Sequence, residues 1–334
     1  MPLQLRRMRR FDNYPFYLYD VGVNKFMGFA IDEKYLHALR EVLPGTQIYL
    51  DEPMARHTTF HIGGNADVFV LPSSIEALVR IFALAKRFSV LVTILGNGSN
   101  VLVQDGGIRG TVISFGKPFS RIERKGTHIK AEAGAALGAV SLFAASHSLQ
   151  GMEFAVGIPG SLGGAVYMNA GAYDGEMSQI VCAVTAVTPE GEIVRYDASE
   201  LGFSYRHSIF QDNNAIICEI ELVLQEGDAA GIQEKIADFT KRRMEKQPLD
   251  KPSAGSTFKR PPGLFAGTLI DKAGLKGLTI GGAQVSEKHA GFVVNIGNAT
   301  AKDVLSVIEE VQARVKQEHD VVLIPEIRII GERA

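Results

Sequence analysis

Two glycine-rich stretches hold the residues best suited to chemistry. Leu95-Gly-Asn-Gly-Ser-Asn-Val-Leu102 lies between apolar runs at Val90–Leu95 and Val101–Val103, and Gly157-Ile-Pro-Gly-Ser-Leu-Gly-Gly-Ala165 repeats the device further along. Glycine accepts positive φ and lets a main chain approach a ligand closely, so that successive N–H groups can turn inward on an anion. In the first loop Gly96, Asn97 and Gly98 offer such amides, and Ser99 and Asn100 add hydroxyl and amide donors. In the second, Gly157, Ile158, Pro159, Gly160, Ser161, Gly163 and Gly164 form a turn whose regular glycine spacing feeds a close-packed helix at Ala165-Val-Tyr-Met. Each loop alone is compatible with an ordinary tight turn. Together they fit an extended ligand with a diphosphate in its middle, a dinucleotide.

The commonest dinucleotide and nucleotide cradles do not match. Val101 stands where a Rossmann fingerprint needs its third glycine, and residues 101–113 read as strand, turn and strand rather than helix. Neither loop continues into the Gly-Lys-Ser/Thr of a P-loop. No metal site is expected: His57 and His61 read as a strand–loop junction, and Cys182 and Cys218 are too few for a cluster or a disulfide framework. Both cysteines read as buried apolar strand residues, with a reduced, cytoplasmic setting as the expectation. A net charge of −2 gives no global field to recruit nucleic acid or an anionic membrane.

The 334 residues suffice for two or three domains. Residues 1–30 open with Met-Pro-Leu-Gln-Leu-Arg-Arg-Met-Arg-Arg, but proline and polar residues interrupt the stretch after it, so they read as a poorly ordered extension rather than an export signal. Glu33–Leu43 carries a helical stripe. Asp67–Pro72, a Ser73-Ser74-capped helix and Val90–Leu95 form a βαβ unit whose strands should be parallel. Short strands follow at Thr111–Ser114, Ile129–Ala133, Val181–Thr188, Ile193–Tyr196 and Ala215–Leu224, interrupted by a helix over Leu137–Ser148. Ile232, Ile236 and Phe239 mark another helix, Thr300 caps a last one, and Val321–Ile324 reads as the strand after it. The expected division is an extension (1–30), two subdomains (31–110 and 111–228) and a C-terminal domain (229–334).

Seven blocks of residues also carry a resemblance. Ala66-Asp-Val-Phe-Val-Leu-Pro72, the two glycine loops, Asn169-Ala-Gly-Ala-Tyr173, Ser204-Tyr-Arg-His-Ser-Ile-Phe210, Gly255-Ser-Thr-Phe-Lys259 and Ile324-Pro-Glu-Ile-Arg328 together resemble the UDP-N-acetylenolpyruvoylglucosamine reductases, in order along most of the chain. The resemblance implies an α+β fold: an FAD-binding domain of the vanillyl-alcohol-oxidase/PCMH type, with a small βαβ subdomain and a mixed-sheet subdomain, then a C-terminal α/β substrate domain. It implies non-covalent FAD, NADPH as reductant, and UDP-N-acetylglucosamine enolpyruvate as a substrate reduced to UDP-N-acetylmuramate for peptidoglycan. The expected form is a monomer or weak homo-oligomer.

By the same resemblance Arg206 is the catalytic arginine, Ser256 the proton donor and Glu326 the catalytic glutamate. Gly171 and Arg328 join the glycine loops in holding flavin, and Tyr173, Lys259, Arg260 and Lys276 bind substrate. A guanidinium suits a carboxylate, and a weak hydroxyl acid suffices only if it is fixed at a strongly basic carbon. Residue by residue, blander readings stay open. Arg206, placed just before a strand, could be a surface arginine, and Ser256 could cap its own backbone. Glu326 and Arg328, two apart on an expected strand, could form a plain ion pair, and either Arg206 or Arg328 could neutralise Glu326.

Two departures separate this chain from some members of that family and match the subtype without an extra tyrosine loop. No tyrosine-bearing loop follows the Tyr-Arg motif, and Arg260 replaces an asparagine at the substrate diphosphate. An FAD-linked sugar or lactone oxidase of the same fold is one rival, although Gly-Asn-Gly-Ser-Asn lacks a histidine for covalent flavin. A non-catalytic nucleotide-binding protein is the other.

Overall fold

The computed structural model describes residues 31–334, so the expected extension over 1–30 lies outside the described residues. Helix α1 (Glu33–Val42) is capped by the Asp32 carboxylate, which accepts from Lys34 N at 2.8 Å. Strands β1 (Ile48–Pro53) and β2 (Asn65–Val70) follow, then α2 (Ile75–Phe88), β3 (Val92–Leu95), β4 (Val101–Val103) and β5 (Ile108–Ser114). Ser74 caps α2, whose face of Leu78, Ile81, Phe82 and Ala85 is buried. The sheet order is β1-β2-β5-β3. The βαβ strands are parallel as expected, but they are not neighbours: β5 inserts between β2 and β3 and runs parallel to both.

A second sheet of order β12-β11-β13-β7-β6 is antiparallel throughout. It is built from β6 (Ile122–Lys125), β7 (His128–Glu132), β11 (Val181–Val187), β12 (Ile193–Asp197) and β13 (Ile216–Val223). Between β7 and β11 run α3 (Leu137–Ser146), the short β8 (Leu149–Gln150), α4 (Leu162–Tyr167) and a hairpin of β9 (Gly171–Ala172) and β10 (Gly175–Glu176). Before β13 comes α5 (Phe210–Asn213), and after it β14 (Gln225–Glu226), which pairs with β8. One apolar core unites the first two sheets with α1 to α4. Both cysteines lie in strands, as expected. Cys218 is buried, and burial pushes its thiol up to about 12, whereas Cys182 is only half-buried.

The chain then enters α6 (Ala229–Lys246), whose Ile232 and Ile236 pack with Ala145 of α3. The last sheet, of order β15-β18-β17-β16, comprises β15 (Ser253–Ser256), β16 (Thr279–Ile280), β17 (Ala283–Val285) and β18 (Phe292–Asn295), with α7 (Ala266–Lys272) and α8 (Ala301–His319) alongside. Its core takes in Phe60, Ile62 and Leu102 from the front of the chain. Thr300 and Asp303 form the anticipated capping box on α8.

The strand expected at Val321–Ile324 is not one. Leu323 is buried, but Val322 and Ile324 are exposed, and the segment joins no ladder. The final strand is β19 (Arg328–Ile330), which pairs in parallel with β4 in the register Arg328↔Val101. β4 takes β19 rather than residues 321–324 as its partner.

Candidate active site

The β4–β19 ladder sets the end of the chain against the first glycine loop. Between β3 and β4 the backbone turns at Gly98, with φ +62, where an added Cβ would sit 2.1 Å from the His57 carbonyl oxygen, so only glycine fits. Thr59 supports the loop from beneath: its N and Oγ1 donate to Gly98 O at 3.1 and 3.4 Å. The same hydroxyl reaches Ser253 O at 2.7 Å and so ties the loop to the strand that carries Ser256. His57 hydrogen-bonds Glu52 at 2.9 Å and stacks on Phe69, while His61 is exposed.

The second loop faces the first. A Cβ on Gly96 would lie 2.6 Å from Ser161 Oγ, and one on Gly160 would lie 3.5 Å from Ser99 Oγ. Ser161 caps α4 by accepting from Gly164 N, and Gly160 turns back to donate to Ile158 O on the far side of Pro159. Gly163 brings the helix onto the second sheet, since a Cβ there would approach Ala133 Cβ to 2.8 Å. Gly171 serves differently: it lets β9 approach Gly175 O in the hairpin.

Among the described residues, the N–H groups of Asn97, Gly98, Ser99 and Asn100 donate to no acceptor in the chain. Consecutive unpaired amides in a glycine turn form an anion-binding concavity. The two facing loops therefore fit the diphosphate of FAD, with the amides of residues 97–100 and the side chains of Ser99 and Asn100 as donors.

Arg206 and Glu326, far apart in sequence, meet beside this cradle, and Glu326 pairs with the main chain next to Ser256. Arg206 Nε donates to Glu326 Oε1 at 2.6 Å, with the arginine and glutamate side chains only 23% and 12% exposed. Glu326 O accepts from Asn100 Nδ2 at 3.3 Å, and Glu326 N donates to the carbonyl of Thr257, the neighbour of Ser256, at 2.8 Å. Arg206 does not directly precede a strand: it occupies the tip of the Ser204–His207 turn with φ +58, and α5 intervenes before β13. A non-glycine residue held there costs on the order of 1 kcal/mol, and Gln211 Nε2 restrains the turn by donating to Arg206 O at 3.0 Å. The Tyr205 ring lies 5.1 Å from the Arg206 guanidinium.

Glu326 likewise precedes β19 rather than lying on it, so the expected strand pairing of Glu326 with Arg328 is absent. Arg328 is turned elsewhere, donating to Gln211 Oε1 and stacking over Tyr167 at 4.9 Å, while its N–H binds Asn100 O. Arg206 is thus a cation paired with the glutamate. Ser256 ends β15 after Gly255, which has φ +74; it is exposed, and its hydroxyl caps nothing among the described residues.

Tyr173 and Asp174, both with positive φ, are the turn residues of the β9–β10 hairpin, the geometry of a type I′ turn. The Tyr173 ring lies parallel to Phe239 of α6 at 4.4 Å, and its hydroxyl donates to Phe239 O. Arg260 stacks over Phe265, and its N–H donates to Tyr205 Oη at 3.2 Å, which joins it to the Arg206 turn. Lys259 is placed by its N–H to Ile324 O. Lys276 is paired with Asp271 at 2.9 Å, and burial, with Lys276 adding to it, holds the His289 pKa below its ordinary value. Sequence reading missed Thr59, Gln211 and Tyr167, whose roles rest on tertiary contacts that leave no spacing pattern.

Residues 66–197 match a family model described as an FAD binding domain, and residues 247–330 match the UDP-N-acetylenolpyruvoylglucosamine reductase, C-terminal domain. A UDP-N-acetylenolpyruvoylglucosamine reductase of Caldanaerobacter subterraneus is 49% identical over 88% of this chain and 97% of its own length. One from Clostridium kluyveri is 47% identical over 93% of this chain and 100% of its own. The crystal structure of the corresponding reductase from Thermus caldophilus superposes with a TM-score of 0.74 at 35% identity, covering 85% of this chain and 98% of that one. The α+β, flavin-domain architecture thus agrees with these relatives, and the chain belongs to the UDP-N-acetylenolpyruvoylglucosamine reductase family.

Proposed function

We propose that this enzyme uses NADPH to reduce UDP-N-acetylglucosamine enolpyruvate to UDP-N-acetylmuramate, a peptidoglycan precursor, in the cytoplasm. Bound FAD would supply the hydride chemistry, accepting from NADPH and delivering to the vinyl carbon. The chain's own residues must then manage the negative charge that develops on the neighbouring carbon and its carboxylate. Arg206 provides fixed positive charge, and Glu326 aims its Nε side, leaving the Nη groups to face the substrate carboxylate. Pairing with Arg206 also keeps Glu326 from repelling that carboxylate. Ser256, at the end of a strand tied to the cradle through Thr59, donates the proton to the developing carbanion. Tyr173, Lys259, Arg260 and Lys276 bind the nucleotide sugar, within a substrate domain spanning residues 229–334.

The observation that carries this reading is the 2.6 Å Arg206–Glu326 contact, which rests against Asn100 of the flavin cradle. Anaerobic stopped-flow with Ser256→Ala tests it. Bleaching of the flavin by NADPH should stay at the wild-type rate, while reoxidation by the enolpyruvyl substrate slows by roughly 10²-fold or more. Equal loss of both half-reactions would remove Ser256 from the proposed role.

A further inference from the structure

The side-chain amide of Gln211, on the four-residue helix α5, is buried and has all its main groups engaged. Its Nε2 donates to Tyr167 O at 2.8 Å and to Arg206 O at 3.0 Å, and its Oε1 accepts from Arg328. These partners fix the orientation of the amide, because a guanidinium can only donate and a carbonyl can only accept. Ser208, also buried, sends its hydroxyl to the same Tyr167 carbonyl at 2.8 Å. On the other side of the turn, buried Asn169 donates through Nδ2 to Ser204 O at 3.0 Å.

The Ser204–His207 turn is therefore docked on residues 167–169, the end of α4 and the two residues after it. Helix α4 starts from Ser161 of the second glycine loop and has six residues, which makes it a rigid spacer of about 9 Å between the cradle and the arginine turn. Arg206 itself has φ +58. Rotation to the negative φ that a non-glycine residue ordinarily adopts would swing its carbonyl away from Gln211. The hydrogen bond from Gln211 thus stabilises the left-handed form specifically. It is from that form that Arg206 Nε reaches Glu326 Oε1 at 2.6 Å.

We propose that Gln211 is a positioning residue for recognition of the substrate carboxylate. By holding the Arg206 carbonyl it keeps the arginine left-handed, and through α4 it sets the guanidinium at a fixed place relative to the flavin cradle. It acts only through Arg206. The role rests on the reductase reading, which supplies the carboxylate that Arg206 meets.

The test compares full-length, flavin-loaded wild type with Gln211→Glu, which keeps an acceptor for Arg328 but offers the Arg206 carbonyl no donor. Each oxidised enzyme is titrated with UDP-N-acetylmuramate and with UDP-N-acetylglucosamine, which lacks the carboxylate, following flavin fluorescence. The variant should bind UDP-N-acetylmuramate about ten- to a hundredfold more weakly and UDP-N-acetylglucosamine within about twofold of wild type. Reoxidation of its reduced flavin by the enolpyruvyl substrate should slow by a similar factor, with reduction by NADPH and flavin content unchanged. In an Arg206→Ala background, Gln211→Glu should cause no further loss of UDP-N-acetylmuramate affinity, because the arginine through which it acts is gone. Additive losses in the double variant overturn the proposal, as does equal weakening of both nucleotides. If Gln211→Glu does not fold, Gln211→Met, which has similar length and no donor, should show the same split between the two nucleotides; no split overturns the role. Wild-type turnover of UDP-N-acetylglucosamine enolpyruvate reports on the reductase reading separately. Turnover with no change in the variants sinks the positioning role alone, whereas a wild type that does not turn over sinks the reading.

Discussion

Gly98 shows how sharply a single residue is specified. Its positive φ and the 2.1 Å approach of His57 O leave no room for a side chain, so Gly98→Ala must displace main chain on one side or the other. We expect the purified variant to retain its fold by circular dichroism but to lose most of its FAD, read as the ratio of flavin to protein absorbance. Full flavin occupancy would show that the loop is not the cradle. Glycine was informative in the sequence because its special φ and close approaches leave few substitutes. Arg206 was less so. Its motif pointed to the residue, but nothing in Tyr-Arg-His-Ser indicates a left-handed arginine at the tip of a turn, a conformation restrained by Gln211 of the following helix and by Glu326 from the far end of the chain. The contact between Arg328 and Gln211 was equally hidden, because it depends on the short helix α5 delivering Gln211 to that arginine.

At the level of elements, helices with capping residues and apolar stripes were legible, since both signals are local. The box on α8 is an example: Thr300 Oγ1 accepts from Asp303 N, and the Asp303 carboxylate accepts from Thr300 N and Gly282 N. Those backbone bonds, led by the one from Thr300, lower the Asp303 pKa. Its folded value being depressed, Asp303 contributes stability above the ordinary aspartate range and loses it as pH falls through the lower folded value. Thr300→Ala should cost about 1 kcal/mol in denaturant titrations at neutral pH. Asp303→Asn should likewise be less stable than wild type at pH 7, with the difference vanishing in strong acid; a difference that persisted there would refute the capping account. Strands fared worse. Residues 321–324 carry a strand-like composition with nowhere to pair, and three-residue β4 and β19 find one another across most of the chain. β-propensity describes a surface to be packed, not a partner, so the register of such ladders is invisible locally.

For the whole molecule, the N-terminal and C-terminal parts are linked by main-chain contacts as well as by shared core. Asp105, in the turn between β4 and β5, accepts from Ala301 N and Lys302 N at 2.8 and 3.0 Å and so supplies a second cap to α8. Asp105→Ala should lower the Tm by about 1–2 °C, in line with loss of a helix cap. It should also raise KM for the UDP-sugar more than it changes the rate of flavin reduction by NADPH, because it loosens the C-terminal part rather than the cradle. An equal effect on both would place Asp105 in the flavin machinery.

The β4–β19 ladder also bears on synthesis. A ribosome makes the polypeptide from its N-terminus, so both glycine loops are translated well before Glu326, Arg328 and the strand that pairs with β4. A chain released before Arg328–Ile330 has been added should therefore carry both loops intact and yet be colourless.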